Sequence, residues 1–368
     1  MTTLKSKQEL REQVREFFQK EILPELPAYE AQRKQDKFVI TILIVCFVGF
    51  GLAALSPIFL FLPLCMLPFM FFSKRKTVVI NGDYEMKIKT KYMKKFLSIF
   101  GDYKWSKFAT AAYRRLYPVL HNLKIFPKTM FLLLDDTISG AHEGVSIEIA
   151  EVRTGIYANS IVFFVFLLIL SAALLTPFFV FLFIIVLSLG DANVVMGFLA
   201  LIAFLFLIVI PAILIRNACV NQSMKGVLVK LTMPKRFNKE TFLYENKISS
   251  QKLVHKRSKN YEKVVLEDID FNKNYTVFSQ DQVEARYLLT TAFIERFKNL
   301  QVAFQADYQR AEFKDNHLFI LLGTKRDLFK MGSLNESTSY SHFNQMFEEI
   351  YSVLSLVEYF KLNQDIGL

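Results

Sequence analysis

Three long stretches without a charged side chain constrain the fold of this chain more than any other feature. They cover residues 38–73, 154–190 and 192–215. A helix needs about 20 apolar residues to cross a membrane. The third stretch fits one such helix, and the second has an apolar core long enough for another. Asp191 and Asn193 form a short polar loop where the two meet, so together they predict a helical hairpin.

The first stretch is long enough for two short helices. Residues suited to a turn near its middle are Gly49, Gly51, Ser56 and Pro57. Pro63 and Pro68 weaken its second half as a straight helix. A re-entrant hairpin is therefore an alternative to two full spans. With two spans here, the sequence predicts four transmembrane helices in two hairpins.

Basic residues at the ends of these stretches predict their orientation. Lysine and arginine are enriched in the cytoplasmic flanks of membrane helices. The flanking basic residues are Arg33, Lys34, Lys37, Lys74, Arg75, Lys76, Arg153, Arg216 and Lys225. The two short loops inside the hairpins carry none. We therefore expect a multi-pass membrane protein with both termini in the cytoplasm.

The remaining segments predict an α+β cytoplasmic domain that the membrane insertions split. It has a mainly antiparallel sheet with helices. The predicted divisions are 1–37 (an N-terminal cytoplasmic amphipathic helix), 38–73 (first hairpin), 74–157 (first part of the domain), 158–215 (second hairpin) and 216–368 (second part). The apolar face of the N-terminal helix suits either a membrane surface or the protein's own domain, and both interpretations stay open.

Local patterns predict the elements of this domain. Residues 130–134 form a continuous apolar run and residues 145–149 alternate between apolar and polar, so a β-hairpin is expected over 130–153. Further strands are expected at 226–231, 242–244, 263–266, 275–278 and 318–322. Helices are expected at about 103–120, after Asp281, and over 339–361. Asp281 suits a helix N-cap, with Glu284 three residues later. If residues 147–152 contact residues 226–231, the two parts of the domain share one sheet.

A basic stretch follows the first apolar run. Residues 74–107 hold ten lysines and arginines against three acidic residues. Basic residues close to a membrane surface attract anionic lipid heads. The candidates for lipid contact are Lys74, Arg75, Lys76, Lys87, Lys89, Lys91, Lys94 and Lys95. The alternative is an ordinary solvated face. The net charge of +11 suits an anionic neighbour, but no nucleic-acid motif accompanies it, so nucleic acid is not an expected partner.

The sequence holds no recognised catalytic motif, metal-ligand spacing or cofactor loop. We therefore expect a non-enzymatic scaffold or regulatory subunit that binds a protein partner or anionic lipid heads. The protein partner would be another membrane protein or a second copy of the chain. Alternatives are a channel or transporter subunit, or an enzyme acting on a lipid or envelope precursor. For the enzyme, the acids to test first are Asp135, Asp136, Glu143 and Glu284.

Three blocks of sequence resemble a family of uncharacterised bacterial membrane proteins, domain of unknown function 3137. They are residues 17–24, residues 135–140 with 147–152, and residues 266–271 with 281–289. Their polar motif residues are Asp135, Asp136, Gly140, Asp281, Glu284 and Arg286. The resemblance implies one split cytoplasmic domain at the bacterial cytoplasmic (inner) membrane and no assigned activity, and it suggests a partner of the LemA type. The second hairpin departs from the family pattern because it interrupts the domain after Val152.

Overall fold

An antiparallel sheet organises the described part of the chain. The structure, a computed structural model, describes residues 6–52, 82–107, 110–126, 130–156, 224–234, 236–246 and 260–365. Within these ranges nine strands form one sheet, with the spatial order β1-β2-β3-β4-β9-β8-β5-β7-β6. The strands are β1 (Tyr103–Lys107), β2 (Met130–His142), β3 (Val145–Ile156), β4 (Met224–Thr232), β5 (Thr241–Glu245), β6 (Glu262–Val264), β7 (Tyr275–Ser279), β8 (Tyr308–Lys314) and β9 (His317–Gly323). The large antiparallel sheet with helices agrees with the sequence-based expectation.

Helices precede, interrupt and follow the strands. They are α1 (Lys7–Phe17), α2 (Leu26–Leu52), α3 (Gly82–Leu97), α4 (Thr110–Asn122), α5 (Ile269–Asn274), α6 (Gln282–Leu288), α7 (Thr291–Ala303) and α8 (Tyr340–Asp365), with a π-helical turn, Phe18–Ile22, directly after α1. Side chains cap several of them. Ser6 caps α1, Asp268 caps α5 and Thr290 caps α7, each by accepting from a backbone N–H of the first turn.

The hairpin predicted over 130–153 is present as β2 and β3. Glu143 and Gly144 form its two-residue turn, with φ angles of 51° and 85°. Turns with two positive φ angles match the twist of antiparallel strands, which explains the glycine here. On the other side of β3, residues 146–154 pair with residues 224–232 of β4. The segments before and after the second predicted hairpin (158–215) therefore lie side by side in one sheet.

Each face of the sheet covers a separate apolar core. The larger core lies against α1, α3, α7 and α8. The smaller core lies under α4, where Leu116 and Leu120 pack with Leu228, Phe319 and Leu321. Strand β4 shows the period-two alternation behind this division, because Val227 and Val229 belong to the larger core and Leu228 to the smaller one.

The N-terminal helix packs on its own domain. Leu10, Val14, Phe18 and Ile22 are buried in the larger core, and α1 contacts α8. Lys7 also forms an ion pair with a residue of α8, Glu348, at 2.8 Å. Of the two interpretations of this amphipathic helix, the structure shows packing against the domain.

The structure corrects the prediction of four transmembrane helices. None of the helices in the described residues combines the length and the apolar character that crossing a membrane requires. The predicted multi-pass location in the inner membrane rested on those helices and is corrected with them. Residues 53–73 of the first predicted hairpin, and all of the second at 158–215, lie outside the described residues.

The prediction of a helix over 103–120 was also wrong for its first residues. Residues 103–107 form the edge strand β1, and a helix begins only at Thr110. Tyr103 and Trp105 alternate with polar residues, and β1 pairs along its whole length with β2. Pairing with a strand that is distant in sequence decides the conformation of this short segment.

Candidate functional site

A polar pocket lies between the loop after β9 and the first turns of α8. Its volume is about 360 Å³. This is within the usual range for pockets that take small molecules. The polar residues of its wall that matter below are Arg326, Asp327, Lys330, Glu336, His342 and Glu349. The wall therefore mixes cations and carboxylates, and it adjoins a helix N-terminus, where negative charge is favoured.

Buried apolar residues and one glycine fix the loop that forms the outer wall. Phe329 and Met331 are buried in the larger core. Gly332 has a φ of 127°, and a Cβ there would lie 2.4 Å from Thr338 Oγ1. Thr338 donates in turn to the carbonyl of Met331 at 2.7 Å. Because both its side chains and its backbone are held, the loop presents its polar residues in a fixed arrangement.

Glu349 is the most deeply buried ionisable group of the pocket. Its side chain is 1% exposed, and Gln345 donates to Oε1 at 3.2 Å. Arg326 Nη1 lies 3.7 Å from the same oxygen. The other oxygen, Oε2, has no hydrogen-bond partner. Burial raises the pKa of Glu349 to about 8, so the carboxyl is mostly protonated at neutral pH.

Lys330 and His342 share one carboxylate, that of Glu336, at the pocket's outer wall. Lys330 Nζ and His342 Nε2 bind its two oxygens, the second at 3.2 Å. The backbone N–H of Ser339 donates to His342 Nδ1, which places the ring proton on Nε2 when the ring is neutral. The carboxylate of Glu336 therefore already binds both Lys330 and His342.

Asp327 connects the pocket to the end of the sheet. It accepts from Arg153 Nη2 at 3.4 Å and from Lys225 Nζ at 3.3 Å. Both basic residues also contact Glu151, which is buried. Burial raises the pKa of Glu151. The residues of β3 and β4 that flank segment 157–223 therefore share an ion-pair cluster with the pocket-lining loop.

The paired acids Asp135 and Asp136 lie in β2 at an irregularity of its pairing with β3, away from the strand ends. Asp136 is buried and accepts from Lys89 Nζ at 2.5 Å and from Trp105 Nε1 at 2.9 Å. Asp135 lies 3.5 Å from Arg153 Nη2. The two carboxylates therefore have different partners, and Asp136 holds α3 against the sheet.

The other motif residues of the hairpin have geometric roles. Gly140 pairs with Tyr103 across β1 and β2, and a Cβ there would lie 2.4 Å from the Tyr103 ring. Only glycine allows this close approach. Glu143 occupies the turn, so the structure does not bring it to the pocket.

Glu284 and Arg286 belong to helix α6, and Asp281 directly precedes it. Asp281 caps the helix by accepting from the N–H groups of Val283 and Glu284. The carboxylate of Glu284 accepts instead from the backbone of Asn238 and Lys239, at 2.8 and 2.9 Å. Arg286 is exposed and donates to Gln282 at 3.4 Å. These residues position α6, and none of them lines the pocket.

The basic residues considered for lipid contact occupy different environments. Lys89 is 2% exposed and pairs with Glu85 and Asp136. Lys91 and Lys95 are exposed and pair with Glu25 and Glu21. Exposed positions also hold Lys87 and Lys94. Lys74, Arg75 and Lys76 lie outside the described residues.

None of the polar residues in the pocket wall is among the site residues predicted from the sequence. One signal is present in the sequence. The helix expected over 339–361 carries an apolar stripe at helical spacing, and Glu349, three residues after Met346, falls on that stripe. A carboxylate on that stripe is a buried acid. Among the described residues, no group of three or more His, Cys, Asp or Glu is arranged to hold a metal ion.

Comparison with known proteins identifies one family. Residues 222–362 match the family described as "Protein of unknown function (DUF3137)". The resemblance read from the sequence is thus confirmed over those residues. The match contains β4 to β9, the pocket and most of α8, whereas β1 to β3 and the N-terminal helices precede it. Comparisons with curated proteins and with solved structures gave no match.

Proposed function

We propose that this chain is a scaffold or regulatory subunit that acts by binding a protein partner. The observation that carries the proposal is the outer face of α6. Val283 and Tyr287 are 62% and 56% exposed and lie four residues apart on one helix, so they share a face. Tyrosine is enriched in protein interfaces.

The rest of α6 explains why this face is well suited to recognition. Asp281 fixes the first turn, Glu284 binds the neighbouring loop, and Ala285 is buried in the larger core. The helix is therefore held firmly from its inner side. A rigid surface loses little conformational entropy when a partner binds, which favours affinity.

A site-specific crosslinker tests this proposal. Benzoyl-phenylalanine in place of Tyr287 should give a stoichiometric crosslink to one protein, or to a second copy of the chain, in cells that produce it. The matched control is the same substitution at Val302 of α7, which is 75% exposed. The same products from both positions, or none from Tyr287, would contradict the proposal.

Anionic lipid heads are the other partner proposed for this domain. Exposed Lys87 and Lys94 on α3 favour this candidate, since basic residues near a lipid surface each add attraction. The double variant Lys87→Gln/Lys94→Gln should reduce co-flotation of the full chain with phosphatidylglycerol vesicles. Equal flotation of the variant and the wild type would exclude a role for these two lysines.

An enzyme is a second candidate function, and one observation favours it. Glu349 is a protonated acid in a pocket, with a guanidinium 3.7 Å away, and acids with raised pKa values occur at catalytic sites. In that case Glu349 would be the general acid. Glu349→Gln should then abolish turnover while preserving the fold.

A further inference from the structure

Two polar atoms in the wall of the pocket lack a hydrogen-bond partner. They are Arg326 Nη1 and Glu349 Oε2. The two residues face each other, but 3.7 Å between Arg326 Nη1 and Glu349 Oε1 is too long for a hydrogen bond. Buried polar groups are nearly always paired, so two unpaired ones at a single cavity indicate a missing partner.

The chemistry of these two atoms defines that partner. A guanidinium nitrogen only donates hydrogen bonds, and a protonated carboxyl donates from its hydroxyl oxygen. The raised pKa of Glu349 favours the protonated form at neutral pH. Two unpaired donors on side chains that line the same pocket suit a ligand with paired acceptor oxygens. Arginine binds such oxygens in a two-pronged geometry.

The other charges of the wall favour a ligand with a single negative charge. Lys330 is neutralised by Glu336, and Asp327 is matched by Arg153 and Lys225. Of the cations in the wall, Arg326 is the least neutralised, because its acidic neighbour Glu349 is largely protonated. A doubly charged phosphate would leave one negative charge that Arg326 alone does not balance. Phe329 and Met346 supply the apolar part of the wall.

We propose that this pocket binds a small organic carboxylate, whose oxygens Arg326 and Glu349 hold and whose apolar part contacts Phe329 and Met346. The proposal is independent of the protein partner suggested for α6, since it rests on other residues. The ion pairs of Asp327 with Arg153 and Lys225 would link an occupied pocket to the ends of segment 157–223.

Binding can be tested on the purified full chain with 4-fluorobenzoate as the probe, followed by fluorine NMR. We expect saturable binding that benzoate displaces. Arg326→Gln should weaken it by at least about tenfold, the usual effect of losing a charge-assisted hydrogen bond. The matched control, Arg286→Gln, removes an exposed arginine of α6 and should leave binding unchanged.

Two substitutions of Glu349 test whether its protonated form, which donates a hydrogen bond, holds the ligand. Glu349→Gln keeps a donor of similar shape and should retain binding, whereas Glu349→Leu should lose it. Absence of saturable binding, or equal binding by the wild type and Arg326→Gln, would overturn the proposal. Displacement by inorganic phosphate at lower concentration than by benzoate would also overturn it and assign a phosphate site instead.

Photolabelling locates the ligand without any substitution, so it remains informative if Arg326→Gln fails to fold. Irradiation with 4-azidobenzoate should label peptides from the pocket loop or the first turns of α8, and excess benzoate should suppress the label. Labelling confined to other parts of the chain would overturn the proposal.

Discussion

Thr154 of β3 pairs directly with Met224 of β4, although 69 residues separate them in sequence. The chain therefore leaves the sheet at the end of β3 and returns beside the same point. The flanking residues Arg153 and Lys225 both bind Asp327. This arrangement makes the intervening segment an insertion into an antiparallel pair, which explains how the sheet can remain continuous across it.

Replacing residues 157–221 by Asn-Gly should therefore preserve the sheet. Asn-Gly is a favoured two-residue connection between antiparallel strands, and the register of β3 and β4 brings their ends together. The amides of β3, β4 and β9 should stay protected in hydrogen exchange, as in the full chain. Rapid exchange throughout β3 would show that the insertion is needed for folding.

Gly226 is expected to tolerate no side chain. It pairs with Gly323 across β4 and β9, and a Cβ at Gly226 would lie 2.0 Å from the carbonyl oxygen of Leu322. Because this contact is with backbone, Gly226→Ala should lower the free energy of unfolding by about 1–3 kcal/mol. Urea denaturation measures this loss.

The control for Gly226→Ala lies in the turn between β2 and β3. Gly144 has open space around its Cα, and asparagine tolerates its positive φ. Gly144→Asn tests the backbone conformation without a steric contact, so it should lower the unfolding free energy by less than Gly226→Ala, by about 1 kcal/mol or less. Equal losses in both variants would show that the close approach at Gly226 is not the cause.

Lys89 should matter for stability far more than its neighbours on α3. It is buried between Glu85 and Asp136, and removing one partner of a buried ion pair costs about 3–5 kcal/mol. Lys89→Met should lower the unfolding free energy by an amount of that order. Lys94→Met, at an exposed position, should change it by less than about 0.5 kcal/mol. Similar values for both would contradict the burial of Lys89.

The elements that could be predicted are those whose pattern is local. Strand β3 has alternating apolar residues after a short turn, β9 is a continuous apolar run, and α8 has an apolar stripe at helical spacing. Strand β1 could not be predicted, because its five residues become a strand only by pairing with β2. Apolar content alone predicted four membrane helices, and the described residues contain none.

The pocket could not be predicted because its residues acquire their roles through tertiary contacts. Glu348 and Glu349 are adjacent and identical in type, yet one forms ion pairs with Lys7 and Arg11 and the other is buried beside Arg326. In the sequence, Lys89 resembles the other lysines of its helix. Only the fold brings it to Asp136, 47 residues away. Only the position of Glu349 on the apolar stripe carried a local signal.

The pH dependence of stability should report on Glu349. Its pKa is about 8 in the folded chain against about 4.5 in a model compound, so between these values only the folded state holds the proton. The contribution of Glu349 to stability therefore decreases as the pH rises from about 5 through about 8 and levels off only above that value. Relative to the wild type, Glu349→Gln should gain about 2–5 kcal/mol over this interval.

Urea denaturation of both chains at several pH values between 5 and 9 measures this difference. Glu312, whose pKa burial raises to about 7, has the same effect in both chains and cancels. Glu348→Gln is the matched control. Burial opposes ionisation of Glu348, but hydrogen bonds from Lys7 and Arg11 prevail and hold its pKa below the usual value. The effect of Glu348→Gln should thus be constant above pH 5. If the curves of wild type and Glu349→Gln run parallel from pH 5 to 8, Glu349 is not a buried protonated acid.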